Sequence, residues 1–123
     1  MPTLLALLST GKGTWSEVNK IMQSQPWTHV FLITNRFGEE NFTSRSEQTS
    51  LVVIDFSLET MAVIKEIKKK LQGKIQDFEV ALNLASGTGK EHMAVLEAVL
   101  ELGLNFRLVT VKDNQAYSLG IER

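Results

Sequence analysis

Short apolar runs alternate along this chain with segments whose apolar positions recur every three to four residues. Thr3–Leu8 is apolar almost throughout and closes on Ser9-Thr10-Gly11-Lys12-Gly13. A run of that length bounded by turn residues predicts a strand buried on both faces. Thr14 and Glu17 then have capping-box spacing, and Trp15, Val18 and Met22 share a face, so a helix is predicted over 14–23, blocked by Pro26. A second strand is read at His29–Thr34. Residues 35–49 are polar with little periodicity, long enough to hold a short helix or act as a lid. A third strand is predicted over 51–56. Ser57 is the expected cap of a helix that turns Met61, Ile64, Ile67 and Leu71 inward and ends at Gly73.

The second half repeats the alternation. Residues 78–84 read as a strand that runs into Ser86-Gly87-Thr88-Gly89-Lys90. Thr88 and Glu91 form a second capping-box pattern, opening a helix that runs to about Leu102 and stops at Gly103. Residues 106–111 predict a fifth strand, Asp113-Asn114 a turn, and 116–121 a short antiparallel edge strand. Strands alternating with helices give an α/β fold: a Rossmann-like, doubly wound, mainly parallel sheet of about six strands covered by helices on both faces. Right-handed crossovers favour the order 3-2-1-4-5 with the sixth strand at the edge. No repeat or linker breaks the 123 residues, so one domain is expected over 1–123.

Composition narrows the chemistry. With no cysteine, disulfide scaffolds, zinc fingers, iron–sulfur sites and thiol nucleophiles drop out. Thirteen basic against fourteen acidic residues give a net charge of −1. Such a balance lacks the positive field needed to coat duplex nucleic acid or an anionic membrane. No segment approaches the roughly 20 apolar residues of a membrane helix, and the amino terminus lacks the pattern of a targeting segment. A cytoplasmic location without membrane contact is expected.

The glycine-rich turns carry the functional signal. In the predicted order, the first and fourth strands are neighbours where the winding reverses, the place where open α/β sheets bind ligands. The two turns that meet there are Ser9-Thr10-Gly11-Lys12-Gly13 and Ser86-Gly87-Thr88-Gly89-Lys90. Each combines glycines, hydroxyls and a lysine, and each opens a helix. Backbone amides, a helix N-terminus and a mobile point charge are what a phosphate or phosphodiester requires. Tight chain reversal alone also uses glycines, but two such turns at one place favour the phosphate.

Familiar motifs fail here. A P-loop would need glycine where Leu84 or Ala6 stands, and Ser or Thr where Glu91 stands. The dinucleotide pattern Gly-x-Gly-x-x-Gly breaks at Ser16. No metal site is read. His29, at the start of the second strand, is read as structural. His92, in the first turn after Lys90, is placed to touch ligand or proton chemistry. Asp55 ends the third strand, where it serves either as a site carboxylate or as a lead into the helix cap. The helix after Lys90 carries Met93, Leu96 and Leu100 on one stripe and Ala94, Ala98 and Leu102 elsewhere. A helix apolar nearly all round predicts burial, by a second subunit in the favoured reading or under a long loop in the other.

The segment 80–99, VALNLASGTGKEHMAVLEAV, resembles the CARF domain, the CRISPR-associated Rossmann fold. A strand ending near an Asn, a Gly-Gly-Thr-Lys-like turn and a Met- and Ala-rich helix carry the likeness. It departs at Gly89, which separates Thr88 from Lys90. The Ser9-Thr10-Gly11 turn, Val30-Phe-Leu-Ile-Thr and Leu51-Val-Val-Ile-Asp-Phe extend it along the chain. The resemblance implies a two-fold homodimer that binds a cyclic oligoadenylate, often the tetra-adenylate, across its interface. It also implies ring-nuclease activity for a member without an effector domain, with no cofactor. In such chemistry a ribose 2′-hydroxyl attacks the adjacent phosphorus and leaves a 2′,3′-cyclic phosphate. The resemblance assigns Lys90, Lys12 and Ser9 to catalysis. It assigns Thr10, Gly11, Gly13, Arg36, Ser86, Gly87, Thr88, Gly89 and His92 to the ligand, with Trp15 stacking on a base or packing in the core. A sensor that binds without cleaving, working through a partner, and an unrelated nucleotide-binding module remain the alternatives.

Overall fold

The computed structural model describes residues 3–9, 12–42 and 47–119, with the side chain of Lys12 excepted. The elements follow the order β1 (Thr3–Leu8), α1 (Trp15–Gln23), β2 (His29–Thr34), α2 (Arg36–Asn41), β3 (Thr49–Val53), α3 (Thr60–Leu71), β4 (Glu79–Asn83), α4 (Gly89–Glu101), β5 (Asn105–Lys112) and β6 (Gln115–Ser118). The sheet runs β3-β2-β1-β4-β5-β6, with only β6 antiparallel to its neighbour. This is the order that the alternation of runs and helices predicts.

β1 explains why its sequence reads as one apolar run. Leu4 to Leu8 are all fully buried, because neighbours flank the strand on both edges and helices cover both faces. Leu4, Ala6 and Leu8 pack with Val18 and Ile21 of α1. Leu5 and Leu7 pack with Val63, Ile67 and Leu71 of α3 and with Ala94, Val95, Ala98 and Val99 of α4. Small side chains on that face of α4 let it lie close to the sheet. Among the described residues no helix is long and apolar enough to cross a membrane.

Several predicted boundaries shift, each for a local reason. β3 occupies 49–53 instead of 51–56, because Asp55 and Ser57 fold into a turn: Asp55 Oδ1 accepts from the Ser57 amide at 3.0 Å and from its hydroxyl at 2.6 Å. Ser57 therefore does not cap α3; Glu59 holds that position with no side-chain cap bond. The inward stripe of α3 is Val63, Ile67 and Leu71, packed against Leu5 and Leu7, and Met61 is 67% exposed. Phe78 precedes β4 and is 90% exposed. The polar stretch after β2 holds α2, capped by Asn35 accepting from the Gly38 amide at 2.8 Å. Asp113 and Asn114 both take positive φ, giving the tight primed turn that returns β6 against β5. The edge strand, read as far as residue 121, ends at Ser118 within the described residues.

Candidate functional site

Ser9, where the first turn leaves β1, lies against the second turn beyond the carboxyl ends of β1 and β4, whose registered pairs run from Thr3 with Val80 to Ala6 with Asn83. The contact is direct. The Ser9 amide donates to Ser86 Oγ at 3.0 Å, and both serines are fully buried. The Trp15 indole N–H donates to the Ser9 carbonyl at 2.7 Å. Trp15 also meets the rings of Phe37 and Phe42, each at 5.7 Å, so it fastens α1 and α2 to the turn instead of presenting a free face. Ser9 Oγ is buried with no hydrogen-bond partner among the described residues.

The second turn is built around Gly87, at φ +100°. A Cβ there would lie 2.5 Å from Leu7 Cδ2 and 2.8 Å from Glu91 Oε1, so both conformation and space demand glycine. The capping box closes as predicted. Thr88 Oγ1 accepts from the Glu91 amide at 3.3 Å, and Glu91 Oε1 accepts from the Thr88 amide at 3.0 Å. The Gly89 and Lys90 amides are the other first-turn donors of α4, with no carbonyl inside the helix to accept them. Glu91 places a mostly buried carboxylate behind them. His92 Nε2 lies 2.9 Å from the Ser86 carbonyl; a carbonyl only accepts, so Nε2 carries the proton. The imidazole thereby holds the turn closed.

Lys90 points the other way. Its ammonium donates to the Leu58 carbonyl at 2.6 Å and to the Phe56 carbonyl at 3.3 Å, over the connection between β3 and α3. Beyond it opens a groove of about 680 Å³ at the carboxyl ends of β2 and β3, lined by Arg36, Phe37, Asp55, Phe56 and Lys70 among others. The Lys70 ammonium donates to the Val53 carbonyl at 2.6 Å. Asp55 titrates below the ordinary 3.8, because the Ser57 hydroxyl and amide hydrogen-bond its ionised form, with a smaller contribution from the Lys90 charge.

The sequence-predicted residues thus fall into three groups. Ser9, Ser86, Gly87, Thr88, Gly89 and His92 form one cluster at the reversal of winding. Lys90 bridges from that cluster to the groove, and Arg36 lies in the groove itself. Thr10, Gly11 and the Lys12 side chain are outside the described residues. Gly13 is exposed in a 3-10 turn, Lys12–Thr14, ahead of α1. His29 bonds Ser50 Oγ at 2.8 Å at the opposite end of the sheet, where it is structural. The Trp15 and Lys70 bonds were not readable in the sequence, since each joins a side chain to a main-chain carbonyl that only the fold brings near. Asn83 is similar: buried, it donates to the Val109 carbonyl at 2.8 Å and accepts from the Ala85 amide at 3.2 Å, setting where β4 gives way to the turn. No group of three His, Asp or Glu side chains among the described residues could hold a metal ion.

No protein-family model matches the chain, and no curated protein matches it.

Proposed function

We propose that the protein binds a cyclic oligoadenylate, the tetra-adenylate first among them, at a two-fold homodimer interface and cleaves it as a metal-independent ring nuclease of CRISPR antiviral signalling in the cytoplasm. The observation that supports this reading is the buried Ser9-to-Ser86 hydrogen bond, which ties the end of β1 to the glycine-rich turn before α4 at the reversal of winding. A symmetric ring suits two copies of that junction. Met93 and Leu100 of α4 and Met61 of α3, all more than half exposed, supply the apolar face that a second subunit covers.

In this mechanism the turns do the positioning. The Gly89 and Lys90 amides and the start of α4 hold a phosphate, with Gly87 permitting close approach. A ribose 2′-oxygen attacks phosphorus, the bond to the 5′-oxygen breaks, and the proton of the 2′-hydroxyl ends on the departing 5′-hydroxyl. Lys90 keeps its bonds to the carbonyls of Phe56 and Leu58 and gives its third N–H to a phosphate oxygen, and Lys12 joins it on the developing charge. Ser9 contributes through its main chain, since its hydroxyl is buried.

That burial, and the Lys90 ammonium already satisfied by two carbonyls, favour a second reading: a sensor that binds the same ring without turnover. Incubation with cyclic tetra-adenylate and EDTA, followed by chromatography, separates the two. Linear products that disappear with Lys90→Ala support the nuclease, and tight binding without products supports the sensor. Absence of binding to any cyclic oligoadenylate sinks both.

A further inference from the structure

We propose that the groove at the carboxyl ends of β2 and β3 is a nucleotide subsite, taking a phosphate on Arg36 and the exocyclic amine of an adenine on Asp55. Only the identity of the base rests on the cyclic-oligoadenylate reading. The subsite itself is drawn from the groove.

Its walls are fixed before any ligand arrives. The Ile54 amide donates to the Thr34 carbonyl at 2.7 Å, tying the ends of β2 and β3 together. The Lys70 and Lys90 ammonium groups then hold the carbonyls of Val53, Phe56 and Leu58 on either side of Asp55. A carboxylate on so constrained a segment is positioned at little entropic cost.

Two charges of opposite sign share the groove without closing on each other. Asp55 spends Oδ1 on Ser57 and leaves Oδ2 with no hydrogen bond among the described residues. Because Ser57 donates both its amide and its hydroxyl, the carboxyl is kept ionised and acts only as an acceptor. What it lacks is a donor from outside. Arg36 is exposed and forms no ion pair or hydrogen bond within the described residues, so its fork of donors awaits a phosphate or carboxylate. Glu66, the other acid on the wall, faces Lys70 at 3.7 Å. A ligand that offers an amine at one end and an anion at the other satisfies both free groups.

The third component is aromatic. Phe37 is 43% exposed, with its other side against Trp15, and presents a rigid apolar surface beside Arg36. A ring system laid there has a surface on which to pack. The groove, about 680 Å³, lies within the range of roughly 300–1,000 Å³ typical of small-ligand sites. Lys90 reaches from the start of α4 to the edge of this groove. A strand of nucleotides with one phosphate on the turns therefore sets its next nucleotide here.

Titration with adenosine 5′-monophosphate, followed by amide NMR shifts, tests the subsite on the intact chain. Expected are shifts concentrated at Arg36, Phe37, Asp55 and Ser57, and about tenfold weaker binding for Arg36→Ala and for Asp55→Asn. Both side chains are exposed, so neither change threatens folding. Purine riboside 5′-monophosphate, which lacks the amine, should bind wild type weakly and be insensitive to Asp55→Asn. Binding of adenosine 5′-monophosphate that ignores both substitutions overturns the subsite. So does cyclic tetra-adenylate binding that survives both but is lost with Lys90→Ala, an outcome that leaves the proposed function standing. Mononucleotide binding in the groove with no affinity for cyclic tetra-adenylate supports the subsite and rejects the ring as ligand.

Discussion

At the turn between β4 and α4, Thr88 is extended, with φ −103° and ψ 169°, and its hydroxyl reaches the Glu91 amide. At the turn between β1 and α1, Thr14 is already helical, with φ −93° and ψ −8°, and makes no side-chain cap bond. Both sites read Thr-x-x-Glu. The difference lies in what precedes the threonine. Gly87 at positive φ turns the chain sharply and delivers Thr88 extended, the conformation that a capping residue needs. Before α1, the 3-10 turn Lys12–Thr14 winds the backbone early, so Thr14 cannot aim its hydroxyl at the third amide of the helix. A capping box is therefore a property of the approach as well as of the letters.

The largest break in this comparison is expected at the glycines. Gly87→Ala combines positive-φ strain with a clash on Leu7 and Glu91 and should cost about 3 kcal/mol in urea unfolding. Gly13→Ala, with open space around its Cβ, should leave stability unchanged or raise it by up to about 1 kcal/mol. Equal losses at the two positions would refute the contrast. Next comes the reciprocal half of the cap. Glu91→Ala should cost about 1 kcal/mol and Glu17→Ala only a few tenths, roughly the surface background, in the same unfolding experiment.

Smaller still is Lys90→Ala. It removes an exposed lysine and should change global stability by less than about 0.5 kcal/mol. Amide exchange should nevertheless accelerate between Asp55 and Glu59, because the carbonyls of Phe56 and Leu58 lose their donor. The smallest signal is a titration. Ser57 stabilises ionised Asp55, so its contribution to folding is full above the ordinary carboxylate range and fades as pH falls through the lowered midpoint. Ser57→Ala should move that midpoint, followed by the carboxyl carbon shift, back up toward 3.8.

The sheet order was legible because β1 and β2 are buried on both faces and read as unbroken apolar runs between turn residues. The helix after Lys90 was legible at both ends, through Thr88 with Glu91 and through Gly103, which takes φ +74°. Met61 was misread because spacing alone does not choose between overlapping stripes, and packing on the sheet buries Val63, Ile67 and Leu71, four residues apart, and leaves Met61 outside. The site divides in the same way. Glycines and hydroxyls at the turns announce themselves in order along the chain. The groove does not: Arg36 and Asp55 are nineteen positions apart, and only the parallel pairing of β2 with β3 makes them neighbours.

The hydrogen bond from Ser9 to Ser86 spans 77 residues. β1 can pair with β2 soon after residue 34 exists, but its other edge stays open until β4 is made. Loop-closure entropy grows with such separations, and parallel pairings of this kind are slow to form. Joining Ser9 to Ser86 is therefore expected to follow the pairing of β1 with β2. Until residue 86 is made, the Ser9 amide has no Ser86 hydroxyl to accept it, so the surface proposed at the reversal of winding forms only once β4 has joined the sheet, whereas the groove beside Asp55 draws its lining from residues 35–70.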